Sequence, residues 1–272
     1  MKEGVVNIPT RDGTVDTFIT HPLEGGPFPP VFVFMDVWGL REELFDIARR
    51  IATVGYFGVV PNLYYRQGLI RNEYRNAKGQ MITLDALPAD QKARVLEPLA
   101  KLTDELVVAD VASILKYLDG NTAVKNGAAG CVGYCMGGRH AFRAAANFPD
   151  RFKASASLHG TDLVTDGKDS PHLQMHNARG EVYCGFGEKD RHTPPSTVET
   201  LNRTFAALGV GHARYIHEVH RGAEHGYALP DRDVFDKQAA NRDWEIIFAM
   251  FRRQLNRLRM KVPLDKRHGF DA

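Results

Sequence analysis

The sequence predicts an α/β fold: a mostly parallel central sheet with helices on both faces and an antiparallel hairpin at its N-terminal edge. Segments with strand character alternate with segments of helical spacing along almost the whole chain, as in βαβ units with right-handed crossovers. Internal strands read as continuous apolar runs such as Val31–Met35, which is typical of parallel strands buried on both faces. An Asp12-Gly13 turn between Val5–Ile8 and Thr14–Thr20 indicates the hairpin.

Each remaining element is predicted from its own local pattern. Helices are expected where apolar residues recur at helical spacing, and strands where a short run is almost wholly apolar. The predicted helices are Arg41–Val54, Asp104–Leu118, Met136–Asn147, Ser196–Leu208 and Val234–Leu258. The further predicted strands are Tyr56–Val60, Ala128–Gly133, Phe152–Leu158, Glu181–Phe186 and Ala213–Val219.

Residues 62–98 form the least regular part of the chain. The segment is too long for a simple connection, and it contains the helix- and strand-breaking residues Gly68, Gly79, Pro88 and Pro98. We expect loops, short helices and part of a substrate pocket here. The tail Lys261–Ala272 is expected to be partly disordered.

The composition indicates an ordinary globular protein that forms a single domain over residues 1–272. Hydrophobic residues make up 43% and charged residues 25%, enough for a core without disulfides or metals. The net charge of +2 is scattered, which argues against nucleic-acid binding and against a polybasic membrane anchor. Three cysteines without framework spacing, and an N-terminus without a signal-like segment, favour the reducing cytoplasm.

The strongest functional motif is Gly-Tyr-Cys-Met-Gly-Gly at 133–138, between a predicted strand and a predicted helix. It is a G-x-C-x-G version of the nucleophile elbow, a strained turn whose glycines avoid backbone collisions and whose central side chain is lifted above the sheet. Cys135 at a helix N-terminus favours a thiolate, and the N–H of Met136 would face a developing oxyanion. The alternative is a structural glycine turn with an inert, buried cysteine.

A general acid and base are expected later in the chain, each in a loop that follows a strand. Asp190 follows the strand that ends near Gly187, with Glu188 as its competitor. His225 lies in the loop after the next strand, whereas His220 is at that strand's end. His225 would hold or take the thiol proton, and Asp190 would fix its tautomer. The alternatives are a helix-capping aspartate and a solvated histidine.

The other cysteines and histidines suit structural positions. Cys131 and Cys184 fall within predicted buried strands, where small apolar core residues are the simpler interpretation. His212, His217 and His220 are too loosely spaced for a zinc signature and are expected on a strand surface. We expect no metal and no cofactor.

The motif at 133–138 resembles the elbow of the dienelactone hydrolase family, the cysteine-nucleophile branch of the α/β-hydrolases. The segment Pro61–Arg66 resembles the sequence after that family's third strand, and the resemblance covers most of the chain. It implies an α/β-hydrolase fold and the opening of dienelactones such as carboxymethylenebutenolide, in the breakdown of chlorinated aromatics, without metal or cofactor. Asp190 and His225 occupy the places of the family's acid and base.

The resemblance also concerns the loop after the first buried strand. Family members carry there a glutamate that pairs with the resting thiol, and this chain has the shorter Asp36. The N–H of Val37 would be the second oxyanion donor. The alternative for Asp36 is a helix cap before Leu40.

One position departs from the family at the substrate. The arginine that the family uses for the substrate carboxylate, shortly after the histidine, is replaced by Leu229. The family also has a second arginine and a tyrosine in the segment before the helix that starts at Asp104, and neither has a matching residue here. Lys92 or Arg94 are the candidates to replace the arginine.

The predicted function is hydrolysis of a carboxylic ester or lactone through an acyl-enzyme on Cys135. The expected substrate is a small molecule. The expected assembly is a monomer or a homodimer. Two alternatives come from other classes. One is a catalytically silent binding module with this fold. The other is a redox-sensing thiol protein, which would need a resolving cysteine near Cys135.

Overall fold

The computed structural model describes residues 1–209 and 211–256, and these residues form one eight-stranded sheet. The strands are β1 (Lys2–Thr10), β2 (Gly13–His21), β3 (Pro30–Phe34), β4 (Phe57–Pro61), β5 (Ala129–Tyr134), β6 (Phe152–Leu158), β7 (Glu181–Gly187) and β8 (Arg214–His220). Their spatial order is β1-β2-β4-β3-β5-β6-β7-β8. β2 pairs antiparallel with β1 and β4, and every other pairing is parallel, which confirms the predicted fold class.

Six α-helices accompany the sheet in the described part of the chain. They are α1 (Glu42–Thr53), α2 (Ala89–Ala100), α3 (Asp104–Asp119), α4 (Met136–Asn147), α5 (Pro195–Ala206) and α6 (Lys237–Leu255). Helix α6 begins later than predicted because the Asp236 side chain caps it, accepting the N–H groups of Gln238 and Ala239 at 3.0 Å. The predicted end at Leu258 and the tail from Lys261 lie outside the described residues.

Glycines in β5 show that helices cover both faces of the sheet. A Cβ on Gly130 would lie 3.0 Å from Leu255 of α6, whereas a Cβ on Gly133 would collide with the carbonyl of Gly137 in α4. Since Gly130 and Gly133 differ by an odd number of positions, their Cβ directions point to opposite faces. Helices α6 and α4 therefore lie on opposite faces of the sheet at β5. A glycine in β5 allows each helix to pack closely against the strand. None of the described helices is both long and apolar enough to cross a membrane.

The irregular segment between β4 and α3 folds over the carboxyl ends of the strands. It contains short 3₁₀ turns and the helix α2, which is longer than the short helices predicted there. Its link to the loop after β8 is a pair of backbone hydrogen bonds, from Met81 N–H to Asp231 O at 2.7 Å and from Asp233 N–H to Met81 O at 3.0 Å. This contact closes one wall of a pocket above the sheet.

Candidate active site

Cys135 lies at the turn between β5 and α4 with an unusual backbone conformation. Its φ of 54° and ψ of −119° are unfavourable for a residue with a side chain. A Cβ on Gly137 would collide with the carbonyl of Phe34, just as one on Gly133 would collide with Gly137. The glycines of the motif are therefore required by close backbone approach, and the turn holds the half-buried thiol above the sheet edge.

His225 connects Cys135 with Asp190. The imidazole Nδ1 lies 2.8 Å from Asp190 Oδ2, and the ring interacts electrostatically with Cys135 at the cavity that both residues line. Asp190 is buried and further accepts the N–H of His192 at 2.8 Å and the hydroxyl of Thr193 at 3.3 Å. These contacts fix the carboxylate, which in turn fixes the orientation of the ring.

The sequence competitor of Asp190 has a different role. Glu188 accepts the N–H of Gly222 at 2.7 Å on the exposed side of the loop. It therefore holds the loop that precedes His225 rather than the imidazole itself.

The surroundings of His225 raise its pKa above the ordinary value for histidine. Burial alone would lower the pKa of His225, but the nearby charge of Cys135 and the hydrogen bond to Asp190 outweigh burial and raise the pKa to about 10. The imidazole is therefore protonated at neutral pH and faces the sulfur.

A cavity of about 190 Å³ opens in front of Cys135 and His225. Its apolar wall comes partly from the segment over the sheet and consists of Val37, Trp38, Leu84, Leu96, Leu99 and Met136. Its charged residues are Asp85, Asp162, Lys189, Arg191, Glu224 and Arg232. A small molecule with one apolar and one polar end suits such a lining.

Two backbone N–H groups are available at the cavity wall. Met136 opens α4, so its N–H has no acceptor within the helix, and the N–H of Val37 has no acceptor among the described residues. Both residues line the cavity beside Cys135. The arrangement suits the two predicted oxyanion donors.

Asp36 is fully buried, but its carboxylate is held by an arginine. Arg41 donates to both Asp36 oxygens, at 2.7 and 2.9 Å, and the N–H of Trp38 donates to Oδ1 at 3.1 Å. Among residues 1–209 and 211–256, Asp36 makes no hydrogen bond to Cys135. Nor does it cap α1, whose N-cap residue is Arg41.

Arg232 is a cavity residue that the sequence interpretation missed. It is 3% exposed, and its guanidinium donates no hydrogen bond to any residue of the described ranges. Its nearest carboxylate oxygen belongs to Asp36, 3.9 Å from Nη1, and its Cζ lies 5.1 Å from the centre of the Trp38 ring. A buried cation with free donors beside a nucleophile is suited to an anionic ligand group.

The two cations suggested as replacements for the family arginine lie elsewhere. Lys92 pairs with Asp85 at 2.6 Å, and Arg94 is exposed on α2. Neither is among the described residues that line the cavity, and Leu229 is fully buried. No local sequence signal marks Arg232, because its position depends on contacts between distant segments.

Two histidines beside His225 were also missed. The rings of His159 and His192 make edge-to-face contacts with His225, at centroid distances of 5.0 and 4.7 Å. His159 directly follows β6, so the rule that functional residues follow parallel strands could have found it.

The remaining predicted structural residues are buried or engaged elsewhere. Cys131 and Cys184 are fully buried, and burial raises the pKa of Cys131 to about 12. His220 hydrogen-bonds Asp243, with 2.7 Å between Nε2 and Oδ1. These residues lie outside the group formed by Cys135 and His225.

Comparison with known proteins assigns the family. The model of the dienelactone hydrolase family matches residues 15–255. A protein of Methylorubrum extorquens named "Putative carboxymethylenebutenolidase" is 27% identical over 253 residues, covering 92% of this chain and 80% of the relative. A Synechocystis protein of the same name is 23% identical over 262 residues, covering 94% and 98%.

A solved structure agrees with the family match. The crystal structure titled "Putative Dienelactone Hydrolase" from Klebsiella pneumoniae superposes with a TM-score of 0.76 at 25% identity, covering 92% of this chain and 98% of that one. The chain belongs to the dienelactone hydrolase family and is a hydrolase of carboxylic esters or lactones.

Proposed function

We propose that the chain cleaves its ester or lactone through a thioester on Cys135, with His225 as proton donor and acceptor and Asp190 as the residue that orients it. The observation that carries this proposal is the position of His225, which hydrogen-bonds the buried Asp190 and lines the same cavity as Cys135. A nucleophile, a base and an orienting acid in this order are the groups that acyl transfer requires.

Acylation begins with attack of the Cys135 sulfur on the substrate carbonyl carbon. The N–H groups of Val37 and Met136 stabilise the oxygen that becomes negative. When the tetrahedral intermediate collapses, the leaving alkoxide takes the proton from Nε2 of His225. In a lactone the departing alkoxide stays attached to the acyl group, so the ring opens on the enzyme.

Deacylation reverses the role of His225. The neutral imidazole takes a proton from a water molecule, the hydroxide adds to the thioester carbonyl, and the C–S bond breaks. The thiolate leaves, the acid is released, and the proton remains on His225. Asp190 keeps Nδ1 protonated throughout, so that Nε2 always faces the reacting atoms.

Asp36 supports the site indirectly in this mechanism. Its carboxylate joins Arg41 to the N–H of Trp38, directly after the oxyanion donor Val37. The bidentate pair with Arg41 holds the turn that presents the Val37 N–H, so the contact with Cys135 is left to His225.

The substrate class is a small ester or lactone with a nearby anionic group. Arg232 supplies a buried guanidinium without hydrogen-bond partners at the cavity, and a carboxylate would satisfy it. The relatives named for carboxymethylenebutenolide are consistent with such a substrate, because that lactone carries a carboxylate. Cytoplasmic location is part of the proposal, since a thiol nucleophile needs a reducing compartment.

The redox-sensor alternative is disfavoured by the position of the nearest cysteine. Cys131 is fully buried within β5, so its thiol is not available to resolve an oxidised Cys135. A silent binding module is disfavoured by the pair of His225 and Asp190, which places an imidazole with a buried acid at the same cavity as Cys135.

The test is a panel of lactones and p-nitrophenyl esters assayed with the wild type and Cys135→Ala. We expect turnover to fall by about a thousandfold or more, and the wild type to release a burst of nitrophenol equal to the enzyme concentration. Cys184→Ala, which removes a buried thiol away from the cavity, is the matched control and should retain activity. Unchanged turnover in Cys135→Ala would refute the mechanism.

A further inference from the structure

One short segment contacts two members of the proposed triad directly and is linked to the third through Thr193. We call residues Leu158–Thr161, which end β6 and enter the next loop, the cradle segment. The N–H of Cys135 donates to Leu158 O at 3.1 Å and to His159 Nδ1 at 3.2 Å, and the N–H of Thr161 donates to Cys135 O at 3.1 Å. The strained backbone of the nucleophile is thus held on both of its sides by the same four residues.

The cradle segment also reaches the acid and the base. The hydroxyl of Thr193 lies within hydrogen-bond distance of Gly160 O, at 3.4 Å, and of Asp190 Oδ2, at 3.3 Å. The ring of His159 packs edge-to-face on His225 at 5.0 Å. His159 therefore contacts two groups that must keep a fixed distance from each other: the backbone of Cys135 and the ring of His225.

The conformation of His159 is unfavourable in itself. Its φ of 39° is in the left-handed region, the residue is fully buried, and Nε2 has no partner among the described residues. Since Nδ1 accepts the N–H of Cys135, the ring proton is on Nε2. Burial and, secondly, the charge of His225 keep the pKa of His159 well below its ordinary value, so the ring stays neutral.

We propose that His159 is a positioning residue that sets the distance between the Cys135 sulfur and the His225 imidazole. Its two contacts have separate tasks. Nδ1 accepts the N–H of Cys135 and so fixes the backbone of the nucleophile turn. The rest of the ring packs against the imidazole of His225 and restricts its position. The proposal rests on the proposed function, because it assigns His159 to the same site.

Two substitutions separate these tasks. His159→Asn keeps an acceptor at the position of Nδ1 and tolerates positive φ, but it removes the part of the ring that packs on His225. His159→Phe keeps a ring against His225 and removes the acceptor. His140→Phe is the control, because His140 is also buried but both its ring nitrogens lack hydrogen-bond partners among the described residues.

The deciding measurement is the rate of Cys135 alkylation by iodoacetamide as a function of pH, together with kcat and KM for a p-nitrophenyl ester. We expect kcat to fall about tenfold or more in both His159 variants with little change in KM, because misplacement of reacting groups affects the chemical step. In His159→Asn the alkylation profile should also move to higher pH, since the imidazolium is held less closely to the sulfur. His140→Phe should match the wild type in both measurements.

The outcomes separate this proposal from the proposed function. An alkylation profile identical to the wild type in folded His159→Asn overturns the positioning role, whatever the change in kcat. Circular dichroism shows whether each variant is folded. If His159→Phe does not fold, the result for His159→Asn alone decides the test. Failure of the proposed function would appear instead as a wild type that is alkylated at Cys135 but turns over no ester.

Discussion

Two hydrogen-bonded aspartate–histidine pairs of nearly equal length lie within residues 1–209 and 211–256. His225 lies 2.8 Å from Asp190, and His220 lies 2.7 Å from Asp243. Burial lowers the pKa of both histidines but is outweighed, by the charge of Cys135 and the bond to Asp190 at His225, and by the bond and charge of Asp243 at His220. His220 is the last residue of β8 and His225 lies in the loop after this strand, yet of the two only His225 lines the cavity.

The difference lies in what surrounds each pair. His225 binds its aspartate through Nδ1, which leaves Nε2 for Cys135. His220 uses Nε2 for Asp243, whose carboxylate also accepts the hydroxyls of Tyr183 and Tyr227 at 2.6 and 2.7 Å. An aspartate–histidine pair is therefore a structural unit by itself. A nucleophile and a cavity are needed to make it catalytic.

Substitution of the two histidines should separate these roles most strongly. We expect His225→Gln to lower kcat for ester hydrolysis by about ten-thousandfold, because neither the thiol nor the water is then activated. His220→Gln should retain kcat and lower the melting temperature instead. Steady-state kinetics and thermal denaturation of both variants measure the contrast. Similar losses of kcat would mean that the Asp243 pair also serves the reaction.

The two aspartates give the next largest contrast. Asp190→Asn should reduce kcat by about a hundredfold to a thousandfold, since Cys135 still contacts the ring while its tautomer is no longer fixed. Asp243→Asn should cost about 3 kcal/mol of unfolding free energy, because a fully buried carboxylate loses charge-assisted bonds to three partners. Urea denaturation measures the second effect, and a stable Asp243→Asn protein would contradict it.

The third effect tests the substrate class. Arg232→Met should lower kcat/KM about ten- to a hundredfold for the p-nitrophenyl monoester of succinate, and hardly change it for p-nitrophenyl butyrate, which lacks the carboxylate. Arg191→Met is the matched control, because Arg191 also lines the cavity but is 80% exposed and pairs with Asp85. Equal losses for both esters would show that Arg232 shapes the cavity rather than binding an anion.

The fold and the chain order of the candidate site residues were predictable because both follow from local rules. Apolar runs predicted the buried parallel strands, and the glycine pattern around Cys135 predicted a turn that only those glycines allow. The rule that acid and base follow successive strands pointed to Asp190 and His225, which the structure brings together. The length of helix α2 was not predicted, since Pro88 and Pro98 suggested breaks, whereas Pro88 is its N-cap and Pro98 lies within its last turn.

The surroundings of the site were not predictable because they depend on contacts between distant segments. That Arg41 holds both oxygens of Asp36 cannot be deduced from either residue type. Arg232 reaches the cavity only because its loop pairs with residues near Met81. His159 follows a strand as expected of a functional residue, but a triad with one base offers no role for a second histidine.

The smallest effect concerns the pH dependence of stability at His220. Burial lowers the pKa of His220, but the hydrogen bond and charge of Asp243 outweigh burial, so the folded pKa lies above the unfolded value of about 6.5. The stabilisation by this pair is therefore complete below about pH 6.5 and declines as pH rises through the folded pKa. The difference in melting temperature between the wild type and His220→Gln should be largest near pH 6 and shrink towards pH 9. A difference that grows with pH would mean that His220 is neutral in the folded protein, and that the two pairs differ in charge as well as in surroundings.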